Sequence, residues 1–206
     1  MKIFQKFMSF ILVIAILCSF AFAANYTDEN KITHLEAVNV LTGLGIMEGY
    51  PDGSMKPDGD VTRAEMAKLI SVIMNDGKDI GSMYSGACVF ADAKTHWAAG
   101  YIAYCHAEGV IDGRNETTFD PNGKVTVVEA TKMVLGALGY DSQNEGFIGA
   151  TWAGKVLDVA NDTDILKNTD NVASAANASR QIIAQMLVNA LEEKTVYYAG
   201  GSTITV

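Results

Sequence analysis

The sequence has 206 residues, of which 49% are apolar and 19% are charged, enough for one domain or a few small repeated units with a buried core. This composition excludes an intrinsically disordered or collagen-like chain. The formal net charge of −9 argues against a nucleic-acid partner, because neutralising phosphates requires clustered Lys and Arg. Only three residues are arginines, Arg63, Arg114 and Arg180, so their positions are informative.

Residues 1–23 are predicted to be a signal peptide. Lys2 and Lys6 form a basic segment, the run 7–22 carries no charge, and Ala21-Phe22-Ala23 supplies small residues where a signal peptidase reads the chain. The alternatives are a retained membrane anchor, for which the run is short, and a lipoprotein modified at Cys18. Cleavage removes two lysines and no acid, so the exported chain is expected to carry a charge of −11 and to have no membrane partner.

Export places Cys88 and Cys105 in a potentially oxidising compartment. They could form one disulfide, or they could be two small buried apolar residues. The sequence contains no Cys-x-x-Cys pair, and its three histidines do not form a helix-face pair with a carboxylate. No metal site and no cofactor are therefore predicted.

The chain repeats itself. A shift of 64 residues places Gly45-Ile46-Met47-Glu48-Gly49 on Gly109-Val110-Ile111-Asp112-Gly113, and Val61-Thr62 on Val125-Thr126. Matched glycines and a matched proline occur at the same offset. Self-similarity at a fixed period is typical of repeat architectures, so the repeat predicts the fold.

A third, weaker copy is offset by 55 residues from the second. Trp97 falls on Trp152, and Ser179-Arg180 aligns with Thr62-Arg63. This copy lacks both glycines and the proline of the connecting loop, so we expect its loop to be reshaped. The predicted units are a signal peptide (1–23), three repeats (24–77, 88–140 and a degenerate 145–193) and a strand-like tail (194–206).

Each copy is predicted to be a helix, a turn-rich loop and a second helix. Gly45 and Gly109 are expected to end first helices, and the capping boxes Thr62-x-x-Glu65 and Thr126-x-x-Glu129 to start second helices. Short helices that are apolar on one side cannot bury that side alone. We therefore predict an all-α protein in which three helix pairs pack around a shared axis. The Gly/Ser-rich linker 75–87 is expected to be exposed.

The repeated pattern resembles a known motif. Phe90-x-Asp92-x-x-x-His96-Trp97-Ala98, then Gly109-Val110-Ile111-x-Gly113 and Phe119-x-Pro121, is similar to the S-layer homology (SLH) motif. Copy one adds Gly49-Tyr50-Pro51-Asp52-Gly53-Ser54 and Thr62-Arg63-Ala64-Glu65-Met66. The resemblance implies a pseudo-three-fold spindle with binding grooves between adjacent repeats. It also implies non-covalent attachment to the bacterial cell wall, usually through a secondary polysaccharide that carries pyruvylated sugars.

Arg63 and Arg180 are the principal candidate ligand-binding residues, because each follows the cap of a second helix. A helix N-terminus offers unpaired amides and the positive end of the helix dipole. A guanidinium matches a carboxylate bidentately, and a pyruvate ketal presents such a carboxylate. The alternative is that each arginine pairs with a nearby acid such as Glu65 or Asp60 and ties loop to helix.

Copy two departs from this pattern, because Val127 stands where the arginine is expected. We therefore predict at most two working sites, of which the one using Arg63 is best preserved. Arg114 stands where copy one has Tyr50 and could compensate for the missing arginine.

Trp97 and Trp152 begin the first helices of copies two and three. An indole can stack on a sugar ring or close the core between repeats, and the core position is favoured here. The remaining candidate contacts are Thr62, Asp52, Gly49, Gly53 and Gly113. For the three glycines the favoured role is a left-handed turn, with close ligand approach as the alternative.

An enzyme is not predicted, because Glu65 and Glu129 are explained by the capping boxes. Asp58-Gly59-Asp60 is similar to part of a calcium loop but lacks the full ligand spacing. The predicted function is therefore anchoring of an exported protein at the cell wall through a secondary cell-wall polysaccharide. A self-assembling surface lattice and direct peptidoglycan binding are the alternatives.

Overall fold

The computed structural model describes residues 25–199 and 202–206, and the predicted signal peptide and Cys18 lie outside them. The described residues form α1 (Leu35–Gly43), α2 (Arg63–Met74), α3 (Gly81–Tyr84), α4 (Ala99–Ala107), α5 (Val127–Ala137), α6 (Trp152–Asn161), α7 (Arg180–Glu192), β1 (Val196–Ala199) and β2 (Ser202–Thr205). Short 3-10 turns cover Glu29–Lys31 and Gly149–Thr151. The predicted predominantly helical fold is confirmed, with a small antiparallel hairpin at its end.

The local start and stop signals act as predicted. Thr62 and Thr126 each accept a hydrogen bond from the N3 amide, and the N3 glutamate bonds back to the cap amide in both α2 and α5. Gly45 and Gly109 follow the first helices with φ of 69° and 72°, in the left-handed region that glycine adopts without strain. These signals are local, because each acts within a few residues of the helix end.

A closed ring of backbone hydrogen bonds joins the three helix pairs just before their second helices. Val61 N–H donates to Ala178 O (3.0 Å), Ala178 N–H to Val125 O (2.9 Å), and Val125 N–H to Val61 O (3.0 Å). Since every member donates to one neighbour and accepts from the other, the ring is cyclic. This arrangement confirms the pseudo-three-fold packing.

Two aspartates fix the loops rather than the first helices. Asp28 caps no helix through its side chain and accepts hydrogen bonds from the amides of Met55 and Lys56. Asp92 accepts from the two matching amides of copy two. Burial opposes ionisation of Asp28, but these amide hydrogen bonds outweigh it and hold its pKa below the ordinary value.

The sequence predicted that the linker between copies one and two is exposed. In the structure part of this linker is instead packed against copy two. It contains α3, which packs against α4 through two glycines. A Cβ on Gly100 would lie 1.7 Å from the carbonyl oxygen of Gly81, so the two backbones are in direct contact. The Tyr101 hydroxyl donates to both carboxylate oxygens of Asp79, at 2.8 and 2.7 Å, and completes the attachment.

Replacing Tyr101 by phenylalanine is expected to change how stability depends on pH. The tyrosine hydrogen bond holds the pKa of Asp79 below 3.8, so its stabilisation is lost as pH falls through that range. Burial, followed by the bond to Asp79, raises the pKa of Tyr101 to about 12, so stabilisation is also lost as pH rises from 10 towards 12. Melting temperatures of both proteins across pH should differ most between these limits. A constant difference at all pH values would contradict this assignment.

Cys88 and Cys105 are buried free thiols in the structure and form no disulfide. Cys105 lies on α4, where burial raises its pKa to about 12 and keeps it as a protonated, apolar side chain. The two cysteines are therefore small buried apolar residues, the second of the two alternatives considered from the sequence.

The strand-like tail forms a hairpin, in which β1 pairs antiparallel with β2. It packs on the end of copy two, where Val196 N–H donates to Leu138 O at 2.8 Å. The Tyr198 hydroxyl donates to Glu145 at 2.6 Å. Within the described part of the chain, none of the helices combines the length and apolar character needed to cross a membrane.

Candidate ligand-binding grooves between repeats

Each candidate arginine reaches out of its own repeat into the loop of a neighbour. Arg63, at the start of α2, is only 6% exposed and lies in the loop of copy two. Its Nε donates to Phe119 O and its Nη2 donates to Asp112 O, both at 2.8 Å. The guanidinium also lies over the Phe119 ring, 4.5 Å from its centre.

Arg180, at the start of α7, repeats this geometry in the loop of copy one. Its Nε donates to Met55 O at 2.8 Å and its Nη2 donates to Glu48 O at 2.7 Å. These acceptors stand 64 positions before those of Arg63, so the two sites are structurally equivalent. Neither arginine pairs with Glu65 or Asp60: both tie a helix to the neighbouring loop through carbonyl groups.

The first amides of the second helices are already bonded, contrary to the expectation that they would be free for an anion. They donate to the loop of a neighbouring repeat, from Arg63 to Gly123, from Val127 to Ala176 and from Arg180 to Gly59, each at 2.9 Å. The next amide of each helix also bonds to a neighbouring loop. An anion in these grooves would therefore have to be bound by side-chain donors.

The second groove is defined here as the cleft of about 410 Å³ between copies two and three. Its charged and aromatic lining consists of Arg63, Arg114, Lys132, Asp112, Glu129, Phe147 and Trp152. Lys132 Nζ donates to Asp112 at 2.8 Å and to Phe147 O at 2.9 Å. Arg114 pairs with Glu129 and lies 3.5 Å from Asp120.

The first groove is the equivalent cleft of about 230 Å³ between copies one and two. Its charged and aromatic lining consists of Arg180, Tyr50, Lys68, Glu48, Glu65 and Trp97. Tyr50 lies beneath two cations, with Lys56 Nζ at 3.9 Å and the Arg180 guanidinium carbon at 5.0 Å from its ring centre. This groove therefore presents the same kinds of side chain as the second, except that Tyr50 stands in place of Arg114 and that Phe147 has no counterpart.

The third interface, between copies three and one, is joined directly by side chains. Thr33 stands where the other repeats have tryptophan, and its amide and hydroxyl both donate to Gln181. His34 Nε2 lies 2.9 Å from a carboxylate oxygen of Asp170. Val127 is buried where the other helices carry arginine. Arg114 lines the second groove beside Arg63, so it does not replace the arginine missing from this interface.

The electrostatics of the second groove are set by two arginines and the carboxylates beside them. Burial, followed by the charge of Arg114, lowers the pKa of Arg63, while nearby carboxylates oppose this effect. Burial opposes ionisation of Glu129, but bonds from Thr126 and Arg114 hold its pKa below the ordinary value. Arg63 donates its described hydrogen bonds to neutral carbonyls, and the nearby carboxylates supply part of its counter-charge.

The tryptophans lie at the grooves. Trp97 is 58% exposed, contrary to the favoured expectation of a core position, and its ring is in edge contact with Tyr101. Trp152 is partly buried, packs against the core and lies 5.7 Å from Lys132 Nζ. Each indole leaves apolar surface at a groove edge, where a sugar ring could stack.

Two of the candidate glycines line grooves, but neither has the left-handed backbone that the sequence suggested. A Cβ on Gly113 would lie 2.4 Å from Asn115 O and from the Phe90 ring. A Cβ on Gly49 would lie 3.2 Å from Ser54 O. Close backbone packing therefore accounts for glycine at both positions, and of the three only Gly53 has positive φ, at 79°.

Thr62, Asp52 and Gly53 do not line either groove. The Thr62 hydroxyl bonds within its capping box. Asp52 accepts from the amide and hydroxyl of Ser54, at 3.0 and 2.6 Å, which closes a turn. Gly53 serves the same turn. These three residues shape the loop rather than face the candidate ligand space.

Sequence reasoning missed Lys68 and Lys132 as groove residues, and it explained Glu65 and Glu129 by capping alone. The signal was present, because both pairs recur at the 64-residue offset. Phe147, which also lines the second groove, has no counterpart in the repeat. Only the folded chain reveals its place there.

The described part of the chain contains no group of three or more His, Cys, Asp or Glu side chains suited to a metal ion. The two aspartates of the calcium-like segment instead join copies one and three. Asp58 accepts from Gln181 at 2.8 Å, and Asp60 accepts from Asn177 at 3.0 Å.

Comparison with known families agrees with the repeat analysis. A family model described as S-layer homology domain matches residues 25–67 and 89–126. Both matched segments lie in the first two predicted copies. The boundaries of the third copy rest on the sequence alignment alone.

Three similar proteins illustrate the relationship. The chain is 30% identical over 178 residues to the middle cell wall protein of Brevibacillus brevis, covering 83% of this chain and 16% of that protein. It is 29% identical over 203 residues to the surface layer protein of Brevibacillus choshinensis, covering 94% of this chain and 17% of that protein. It is 31% identical over 101 residues to the cellulosome-anchoring protein of Acetivibrio thermocellus, covering 48% and 22%. The chain spans about a sixth of the length of the first two relatives.

Proposed function

The chain is an S-layer homology domain protein, and on that premise we propose that it anchors non-covalently to the bacterial cell wall by binding a secondary cell-wall polysaccharide. Its relatives are cell-wall and surface-layer proteins, which agrees with the cell-surface location expected from the sequence. S-layer homology domains are generally non-catalytic anchoring domains. The proposed ligand is a glycan carrying pyruvate ketals.

The observation that carries this proposal is the chemical likeness of the two grooves. Each combines a guanidinium from the preceding repeat, a lysine from the second helix and an indole from the following repeat. A cationic pair suits the carboxylate of a ketal, and an indole suits the apolar face of its sugar. The same set occurs twice, as binding to a repeating polymer requires.

Two grooves on one rigid body would also increase the strength of attachment. When one groove holds the polymer, the second binds a neighbouring sugar at a high effective concentration. Modest affinity at each groove would then give firm retention on the wall. The side-chain bonds across the third interface support the expectation of at most two working sites.

The test is co-sedimentation of the purified protein with cell walls before and after acid removal of the secondary polysaccharide. We expect the protein to pellet with native walls and to stay in solution with stripped walls. Pelleting with stripped walls would favour direct binding of peptidoglycan. Concentration-dependent light scattering without any wall binding would favour a self-assembling lattice.

A charge-matched set of variants locates the contact. Lys68→Ala and Lys132→Ala each remove a lysine from one groove, and the double variant is expected to weaken wall binding by more than tenfold. Lys78→Ala removes the same charge from an exposed position outside both grooves and should bind normally. Equal loss in all variants would indicate a general charge effect and would contradict binding in the grooves.

A further inference from the structure

The segment 141–149, between α5 and α6, forms one wall of the second groove. Phe147, Ile148 and Gly149 all line this groove. The Phe147 side chain is buried, and its carbonyl oxygen accepts a hydrogen bond from Lys132 Nζ at 2.9 Å. The described residues 64 positions earlier, 77–85, do not line the first groove, so this wall belongs to the second groove alone.

The wall segment has little structure of its own. Residues 141–148 belong to none of the helices or strands of the described chain. Backbone hydrogen bonds from Glu145 N–H to Asp141 O (3.0 Å) and from Phe147 N–H to Ser142 O (2.8 Å) close a turn. A loop with so few internal bonds takes its position from contacts outside it. The placement of the wall therefore depends on what holds this turn.

One hydroxyl group attaches the turn to the tail hairpin. The Tyr198 hydroxyl donates to a carboxylate oxygen of Glu145 at 2.6 Å and accepts from the Asp141 N–H at 3.1 Å. Burial, followed by the bond to Glu145, raises the pKa of Tyr198 to about 12, so the hydroxyl keeps its proton at neutral pH. The same group thus holds both ends of the turn, as donor and as acceptor.

The strand that carries Tyr198 is itself closely docked. A Cβ on Gly139 would lie 2.2 Å from Val196 O, so the backbone of β1 touches the chain just after α5. The Val196 side chain is buried there. Tyr197 lies on the opposite face of the strand and is 50% exposed, because successive side chains of a strand alternate between faces. Of these two neighbouring tyrosines, Tyr198 is the one bonded to the turn.

We propose that Tyr198 is a positioning residue for the second groove. It contacts no ligand itself. By holding both ends of the turn, it sets the wall formed by Phe147, Ile148 and Gly149 and the carbonyl group that orients Lys132. The first groove has no such wall and does not depend on the hairpin. This inference rests on the proposed function, because it requires a ligand in the second groove.

The test measures each groove separately by fluorescence. The chain contains two tryptophans, one at each groove. Trp97→Phe leaves Trp152 to report binding in the second groove, and Trp152→Phe leaves Trp97 to report binding in the first. The probe is a pyruvate-ketal hexosamine, titrated against each background with and without Tyr198→Phe. Tyr197→Phe is the matched control, since it removes a hydroxyl from the exposed face of the same strand.

We expect Tyr198→Phe to weaken binding in the second groove by about fivefold and to leave the first groove unchanged. A wall that is ordered for only part of the time lowers the apparent affinity by that fraction. Tyr197→Phe should bind normally in both grooves. Glu145→Gln keeps an oxygen that accepts the tyrosine hydrogen bond, so it should bind more tightly than Glu145→Ala. Amides of residues 142–149 should exchange faster in Tyr198→Phe without any ligand, whereas those of α2 should not.

The two proposals fail in different ways. Equal weakening of both grooves, or unchanged affinity of the second groove in Tyr198→Phe, would overturn the positioning role while leaving sugar binding established. Absence of probe binding to the unmodified protein would overturn the pyruvylated ligand. The exchange measurement, which needs no ligand, would then decide whether Tyr198 holds the wall, and unchanged exchange of residues 142–149 would overturn that role as well.

Discussion

Replacing Arg63 by alanine is expected to lower the free energy of unfolding by about 3 kcal/mol and to abolish binding in the second groove. The side chain is 6% exposed and supplies the hydrogen-bond donors for Phe119 O and Asp112 O. Its removal leaves both carbonyls without those donors, and an unsatisfied buried polar group costs about 1–3 kcal/mol. Urea denaturation followed by circular dichroism measures the loss.

Arg180→Ala is the matched control, because Arg180 makes the same pair of carbonyl bonds in a less buried place. We expect it to cost about 1 kcal/mol, since water can replace the lost donors there. Arg63→Lys keeps the charge but cannot form the same two-pronged contact, so it should fall between alanine and the unmodified protein. Equal losses for the two alanine variants would show that burial does not govern these contacts.

Replacing Gly100 by alanine is expected to detach α3 from α4, at a cost of about 3 kcal/mol. The added Cβ would lie 1.7 Å from Gly81 O and 2.7 Å from its carbonyl carbon, and backbone atoms cannot move aside as a flexible side chain can. The Tyr101–Asp79 hydrogen bonds should be lost with the docking. Hydrogen exchange of the α3 amides, compared with the amides of α5, distinguishes local detachment from general destabilisation.

Gly154 provides the control, because it lies within α6 and an added Cβ there meets nothing within 4 Å. Gly154→Ala should stabilise the protein by about 0.5–1 kcal/mol through the better helix propensity of alanine. Destabilisation by both substitutions would mean that the clearance around these glycines does not decide the outcome.

The signals that the sequence revealed are local or repeated. Capping boxes at Thr62 and Thr126 and the stop glycines Gly45 and Gly109 act over a few residues, so they can be recognised without tertiary information. The offsets of 64 and 55 residues then predicted three equivalent helix pairs, because equivalent sequences bury equivalent faces. They also identified both arginines and both tryptophans that line the grooves.

Contacts between repeats were harder to predict, because they join residues far apart in the chain. Docking of α3 depends on the close approach of Gly81 and Gly100, and neither glycine belongs to a recognisable motif. Trp97 is 58% exposed, which its apolar character alone did not reveal. Gly49 and Gly113 are glycines because atoms across the loop lie close to them, and not because a turn type requires glycine. This reason became apparent only in the folded structure.

By itself the sequence determined the repeat, the starts of α2 and α5, the ends of the first helices of copies one and two, and the arginines and tryptophans of the grooves. The tertiary structure alone decided which side chains share a groove. Arg63 donates hydrogen bonds to the loop of copy two, and Arg180 donates hydrogen bonds to the loop of copy one. The physical reason is the cyclic packing, in which each second helix begins against the loop of a neighbouring repeat. A linear pattern records which residues recur, whereas the closed ring of hydrogen bonds determines which of them meet.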